Sequence, residues 1–422
     1  MDELKKKDVL HTVAKYYLES HDFNGIPTCT LSEKYNQDWD ILKNIVRELI
    51  EDEMVVMIDT NTDENPHIIR IGYEPKDIQI LKLNGDSSYH ACIYPTSKHL
   101  NSVVSPEDFA VQPYKLCLEL GEAQLSYRSF DLSVLEFYRN DPRYNYENDD
   151  IQGSIYYNTE EIKDSDKVLL ETFGFSYDEE YNRAVAVFLR YLKNLTPEHQ
   201  QIWKAKELNG NFKLHPDYYR NSIIGDWGEK EPICSAFLTE LHIINQMSKA
   251  MGRPSFFKND FGNENRPRHF GFLIRPTLGE FNNFILLFDK MISDNLNQDF
   301  FQKEVLYENE IKRKDGKIIV HQKGTLQILD EWIRKFFKTN DWKLWEESIS
   351  TLRKIRKMRQ SPAHLVNEDQ FDQKYFKEQR DILISAYSAV KTLRLMFANH
   401  PRVKRAKILI PDWLHECKIW TM

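Results

Sequence analysis

A change of hydrophobic period near residue 160 limits the folding of this chain of 422 residues more than any other feature. From about residue 73 up to it, short apolar runs separated by polar and proline-bearing stretches suit brief strands: 78–83, 89–94, 114–120 and 155–157. One amphipathic turn, 133–138, sits among them, and the acidic, Asn-rich stretch 144–150 reads as a loop. Beyond it, apolar residues recur every three or four positions, the spacing of a helix face. Helices are expected over 178–192, 197–208, 231–250, 278–296, 326–337, 342–358 and 371–397. One hairpin interrupts them, where Asp315-Gly316 joins 305–311 to 317–321, an Asp-Gly turn between two alternating runs. The expected fold class is α+β, mostly α.

The length is that of two or three domains. With 41% hydrophobic, 29% charged and 13% aromatic residues, the chain has too many core-forming side chains to be disordered. No run approaches the ~18 apolar residues of a membrane span, since the nearest, over 281–288, contains Asn282 and Asn283 and ends at Asp289. The opening residues MDELKKKD precede no apolar stretch, so no secretory signal and no membrane partner are expected, and residence is expected to be cytoplasmic. Five cysteines (Cys29, Cys92, Cys117, Cys234, Cys417) are scattered without a C-x-x-C pair, which suits neither a disulfide framework nor a thiolate zinc site.

Four stretches are expected: 1–72, 73–160, 161–274 and 275–422. In the first, Val9, Val13, Ala14 and Tyr17 share a helical face. Pro27 breaks the chain, 31–35 makes a short helix, and Trp39, Leu42, Ile45, Val46 and Leu49 repeat at helical spacing. Val55–Ile58 and 68–71 then flank a polar turn. This order of elements resembles a winged helix-turn-helix. From Asp38 to Glu53 its third helix carries six acids against Lys43 and Arg47, a surface that phosphate would repel. That charge favours a module for docking protein, or for packing on the rest of the chain, over one that reads DNA. The second stretch reads as a small α+β domain without evident chemistry, and the third as a helical linker region.

The familiar catalytic signatures are missing: no glycine-rich phosphate loop, no G-x-S-x-G and no H-E-x-x-H is present. The net charge of −8 conceals an asymmetry, because between Arg353 and Lys407 there are 14 Lys or Arg against five acids. A basic block on an acidic chain is a candidate anion-binding surface. Within it, Trp345, Ile349, Leu352 and Ile355 form an apolar stripe. Carried on at ~100° per residue, the stripe brings Arg356 and Arg359 to the buried face. A guanidinium there needs either an acid partner or an anion. Pro362 disfavours helix at Ser361, so the helix should end near Arg359 and leave His364 on the turn before the next long helix.

Arg359-Gln360-Ser361-Pro362-Ala363-His364 is thus an R-x4-H motif between two long helices. It resembles the motif of the HEPN superfamily, whose members carry R-x4–6-H at this place in a helical bundle. Gln360 departs from the more usual Asn or Asp, and the resemblance spans about residues 275–400. It implies a C-terminal HEPN-like helical bundle and a metal-independent endoribonuclease, with Arg359 and His364 catalytic. Arg356 and Gln360 would contact the RNA, and neither metal nor cofactor is called for. His suits proton transfer near neutrality, and Arg offers a charged planar fork to phosphate oxygens. HEPN nucleases pair two protomers so that two Arg and two His meet in one cleft, hence an expected homodimer. Such proteins often serve as toxins or in antiviral defence. The alternative is a non-catalytic HEPN-like dimerisation protein whose winged-helix domain acts as regulator or adaptor. A second match, Arg394 to His400, has no bundle helix after it and is set aside.

Overall fold

A computed structural model describes residues 6–60, 63, 65–69, 72–149, 151–159, 161–226, 228–262, 265–312, 318–360 and 368–420. Helix forms about 50% and strand about 15% of it, so the class is α+β with helix predominant. The chain divides into two compact units: Met1–Tyr146 with Gln152–Trp227, and Glu147–Ile151 with Gly228–Met422.

The first unit opens with α1 (Lys6–Glu19), β1 (Ile26–Pro27), α2 (Thr28–Tyr35) and α3 (Trp39–Glu51), then β2 (Val55–Ile58), α4 (Lys76–Leu83) and β3 (Cys92–Pro95). Asp38 caps α3 by accepting a hydrogen bond from Asp40 N, which satisfies one of the donors a helix start leaves free. Val9 and Val13 of α1 share a core with Trp39, Leu42, Val46 and Leu49 of α3 and with Ile93 of β3. The sheet is antiparallel in the order β1-β3-β2. This corrects the expected hairpin: the partner of Val55–Ile58 is Cys92–Pro95, with Met57 opposite Ile93. Ile68 and Ile69 are in no strand, and Ile69 N donates to the Gln124 side chain instead; residues 70 and 71 lie outside the described residues. The module therefore continues past residue 72, because Leu83, Ala91 and Ile93 are part of its core.

After α5 (Ser97–Leu100) and α6 (Pro113–Glu119) the chain enters a six-stranded sheet. Its members are β4 (Tyr127–Phe130), β5 (Tyr144–Asn148), β6 (Gln152–Tyr157), β7 (Leu169–Tyr177), β8 (Arg183–Phe188) and β9 (Lys213–Leu214), ordered β4-β8-β7-β6-β5 with β9 on β7. Helices α7 (Val134–Arg139), α8 (Leu189–Leu192) and α9 (Pro197–Lys204) fall between the strands, and α10 (Pro216–Tyr219) follows β9. Several expectations are corrected. Residues 78–83 and 114–119 are helical, in α4 and α6, and 144–148 are strand rather than loop. The expected helix over 178–192 is β8 followed by the single turn of α8. The stretch 161–274 is not a helical linker, since it supplies the central strands β7 and β8. In the interior Trp203 Nε1 donates to the Tyr138 hydroxyl at 2.8 Å, and that hydroxyl meets His199 Nδ1 at 2.8 Å. Indole only donates, so the Tyr138 oxygen accepts from Trp203, while the direction of its bond with His199 Nδ1 is set by the imidazole tautomer. Burial lowers the His199 pKa, which favours the neutral ring.

The second unit contains β10 (Glu231–Pro232), α11 (Ile233–Ala250), α12 (Leu278–Ile292), β11 (Glu308–Lys312), β12 (Ile318–Gln322), α13 (Thr325–Phe336), α14 (Lys343–Gln360) and α15 (Lys374–Ala398). It ends with α16 (Pro401–Ala406), α17 (Asp412–His415) and β13 (Ile419–Trp420), which pairs in parallel with β10. The expected hairpin is present as β11 and β12, paired from Glu308↔Gln322 to Lys312↔Ile318, while its turn lies outside the described residues. α11 and α14 both pack on α15, and α12 and α13 pack on α14. Phe237, Phe288, Ile349, Leu352, Val390 and Phe397 belong to their common core. The start of α12 is tied to the segment before α15: Leu278 N donates to Gln370 O, and Gly279 N to the Asp369 carboxylate. Asn295, just past α12, brackets Asn259, accepting from its N and donating to its O. The turn that carries Asp294 is thereby anchored.

Candidate functional site

Trp345, Ile349, Leu352 and Ile355 are buried, as their spacing requires. Arg356 and Arg359 follow on the border of that stripe, three residues apart and so neighbours on the helix surface. Among the described residues α14 runs to Gln360; the expected stop set by Pro362 lies outside the described residues. Lys357 and Arg359 in its last turn complement the negative end of the helix dipole.

Both arginines point at the end of α12. Arg359 Nη1 donates to Asp289 Oδ2 at 2.7 Å and to Asp294 Oδ2. Arg356 Nη1 donates to Asp294 Oδ1 at 2.7 Å and lies 3.7 Å from Asp289 Oδ2. The two acids differ in setting. Asp289 is fully buried, whereas the Asp294 side chain is 37% exposed. Sequence reasoning missed this pair, although a signal was present: Asp289 stands on the apolar face of α12, four residues past Ile285 and eight past Phe281. A carboxylate in that stripe asks for a cation from the facing helix.

The electrostatics follow from the geometry. Two aspartates at the C-terminal end of a helix oppose its dipole, and burial further disfavours the Asp294 carboxylate. Hydrogen bonds from Arg359 and then Arg356 outweigh that burial and hold its pKa below the ordinary range. The bond to Asp289, and next that to Asp294, raises the pKa of Arg359, which stays charged. Two cations and two anions balance. The arginines therefore do not repel one another across an empty cleft, as an unpaired set would. Among the described residues, Asp289 Oδ1 and the neighbouring Ser293 hydroxyl are buried without a hydrogen-bond partner.

Of the expected site residues, Arg356 and Arg359 are brought together, and Gln360 is exposed at the helix end. His364 lies outside the described residues. The second motif match is accounted for otherwise. Arg394 is buried in a two-point ion pair with Glu240, at 2.5 and 3.2 Å, and His400 caps α16 by accepting from Arg402 N. Burial raises the Glu240 pKa, although the Arg394 guanidinium opposes it. Among the described residues no cluster of three or more His, Cys, Asp or Glu is placed to hold a metal ion. No helix among them is long and apolar enough to cross a membrane. No family model, curated protein or solved structure matches this chain.

Proposed function

We propose that the protein is a HEPN-type, metal-independent endoribonuclease that cleaves RNA through attack of the 2′-hydroxyl on the adjacent phosphorus. The observation that carries the reading is the location of Arg359: the last turn of α14, beside a second arginine, directly ahead of the segment with His364 and of the long helix α15. Arg359 and Arg356 bind phosphate oxygens and stabilise the charge that builds on them. His364 moves the proton. One histidine does not serve both as base at the 2′-oxygen and as acid at the 5′-oxygen, on opposite sides of phosphorus. A homodimer that brings two copies of the motif together across a two-fold axis supplies both. A role as toxin or anti-phage effector fits such an activity.

The N-terminal module acts as a winged-helix-like docking or sensing domain. Its three helices and the sheet order β1-β3-β2 support that reading, and its acidic third helix favours a protein partner over DNA. The rival reading, a non-catalytic HEPN-like dimerisation protein, draws support from the carboxylates that already engage both arginines. Product chemistry separates the two. Incubation with single-stranded RNA in excess EDTA should release fragments ending in 2′,3′-cyclic phosphate. RNA left intact by the dimer, or cleavage that stops when divalent ions are removed, would defeat the nuclease reading.

A further inference from the structure

The two aspartates that meet Arg356 and Arg359 are not equivalent, and the difference bears on how the site takes its ligand. Asp294 uses both oxygens, Oδ1 on Arg356 and Oδ2 on Arg359. One anion thus bridges two guanidinium groups, as the two non-bridging oxygens of a phosphodiester do. It sits two residues beyond the last residue of α12 and is partly exposed, so it can turn outward without dragging a buried group. Asp289 lies within α12, is fully buried, and grips Arg359 by Nη1 alone. Among the described residues Arg359 Nε and Nη2 make no hydrogen bond, which leaves one edge of the fork for an oxyanion. The buried Ser293 hydroxyl, adjacent in sequence to Asp294, is a further donor without a partner among those residues.

We propose that Asp294 occupies the phosphate position of the Arg356–Arg359 pair, so that a phosphate group of the substrate binds by displacing this carboxylate while Asp289 holds Arg359 in place. The inference rests on the reading of the two arginines as phosphate contacts. The free site is neutral and binds weakly; with Asp294 swung aside, it carries an excess positive charge. A phosphodiester backbone, offering several anions at once, outcompetes the carboxylate where a single small anion does not.

The test uses the full chain and a short oligodeoxythymidylate, which presents phosphates but has no 2′-hydroxyl and so reports binding without cleavage. Asp294→Asn should bind it about tenfold tighter than wild type by fluorescence anisotropy, with a steeper loss on added salt. Asp299→Asn makes the same charge change on an exposed residue that touches neither arginine and should leave affinity within about twofold. Unchanged or weaker binding by Asp294→Asn, or an equal gain from Asp299→Asn, overturns the inference. Should the amide variant not fold, Asp294→Ser carries the same expectation. The outcome is separable from the enzymatic reading. Tighter binding by Asp294→Asn beside a wild type that cleaves no RNA removes the nuclease and keeps the occupied phosphate position. Cleavage by wild type without tighter binding by the variant does the reverse.

Discussion

Removing the Arg359 side chain should cost stability as well as any activity. Asp289 is fully buried, its Oδ2 depends on Arg359 Nη1 at 2.7 Å, and its Oδ1 has no partner among the described residues. Breaking a buried ion pair by deleting one member costs ~3–5 kcal/mol, because the other charge stays buried and uncompensated. Two facts reduce that figure. Arg359 is itself 28% exposed, and Arg356 Nη1 remains 3.7 Å from Asp289 Oδ2. Partial solvation and the surviving neighbour leave about 2–3 kcal/mol for Arg359→Ala. For a unit of roughly 200 residues that corresponds to a fall in Tm of ~4–12 °C. Thermal unfolding followed by tryptophan fluorescence reads it, since Trp332 and Trp345 are buried in this unit. Asp289→Asn removes the stranded charge, so the double variant should be more stable than the summed single effects by at least ~1 kcal/mol. A Tm within ~1 °C of wild type for Arg359→Ala, or strict additivity with Asp289→Asn, would refute the argument.

Other outcomes follow from neighbouring contacts. The second unit should lose stability in acid. Burial works against the carboxylates of Asp294, Asp330 and Glu304, yet hydrogen bonds from arginines and from Trp345 and Trp332 hold their pKa values low. Their contribution is present above the unfolded pKa values of ~4 and is lost as pH falls through the depressed folded ones. A fluorescence-detected Tm that does not drop between about pH 5 and pH 3 would contradict this. Arg394→Ala strands the fully buried Glu240 and should cost ~3–5 kcal/mol, a loss visible in urea unfolding; an effect under ~1 kcal/mol speaks against a buried pair. In the first unit, an added Cβ at Gly174 runs into the Tyr218 ring, so Gly174→Ala should destabilise by about 1–3 kcal/mol through overpacking. A variant as stable as wild type would show that this ring yields.

Legibility in the sequence depended on whether a signal was local. The long helices α11 to α15 were legible because each carries an apolar stripe at helical period. The β11–β12 hairpin was legible because Asp-Gly is a local turn signal. The run Ala184-Val185-Ala186-Val187-Phe188 was not: β8 is a central strand buried on both sides, and such a run reads the same as a buried helix. For residues 114–120 a usable signal was passed over, since Pro113 stands at the first helical position of α6. The partner of β2 lies more than thirty residues away in β3, and no local pattern announces a pairing at that range. At the site, the position of Arg359 beside the buried stripe followed from periodicity. The identity of its acid partners did not, because Asp289 and Asp294 meet it through tertiary packing of α12 on α14.

The most direct measurement is digestion of single-stranded RNA in EDTA by wild type and by His364→Ala at equal, folded concentrations. The enzymatic account predicts cleavage by wild type and a loss of ~10²- to 10⁴-fold in the variant, the worth of a positioned proton carrier. Full activity in His364→Ala, with the same fragment ends as wild type, would contradict it.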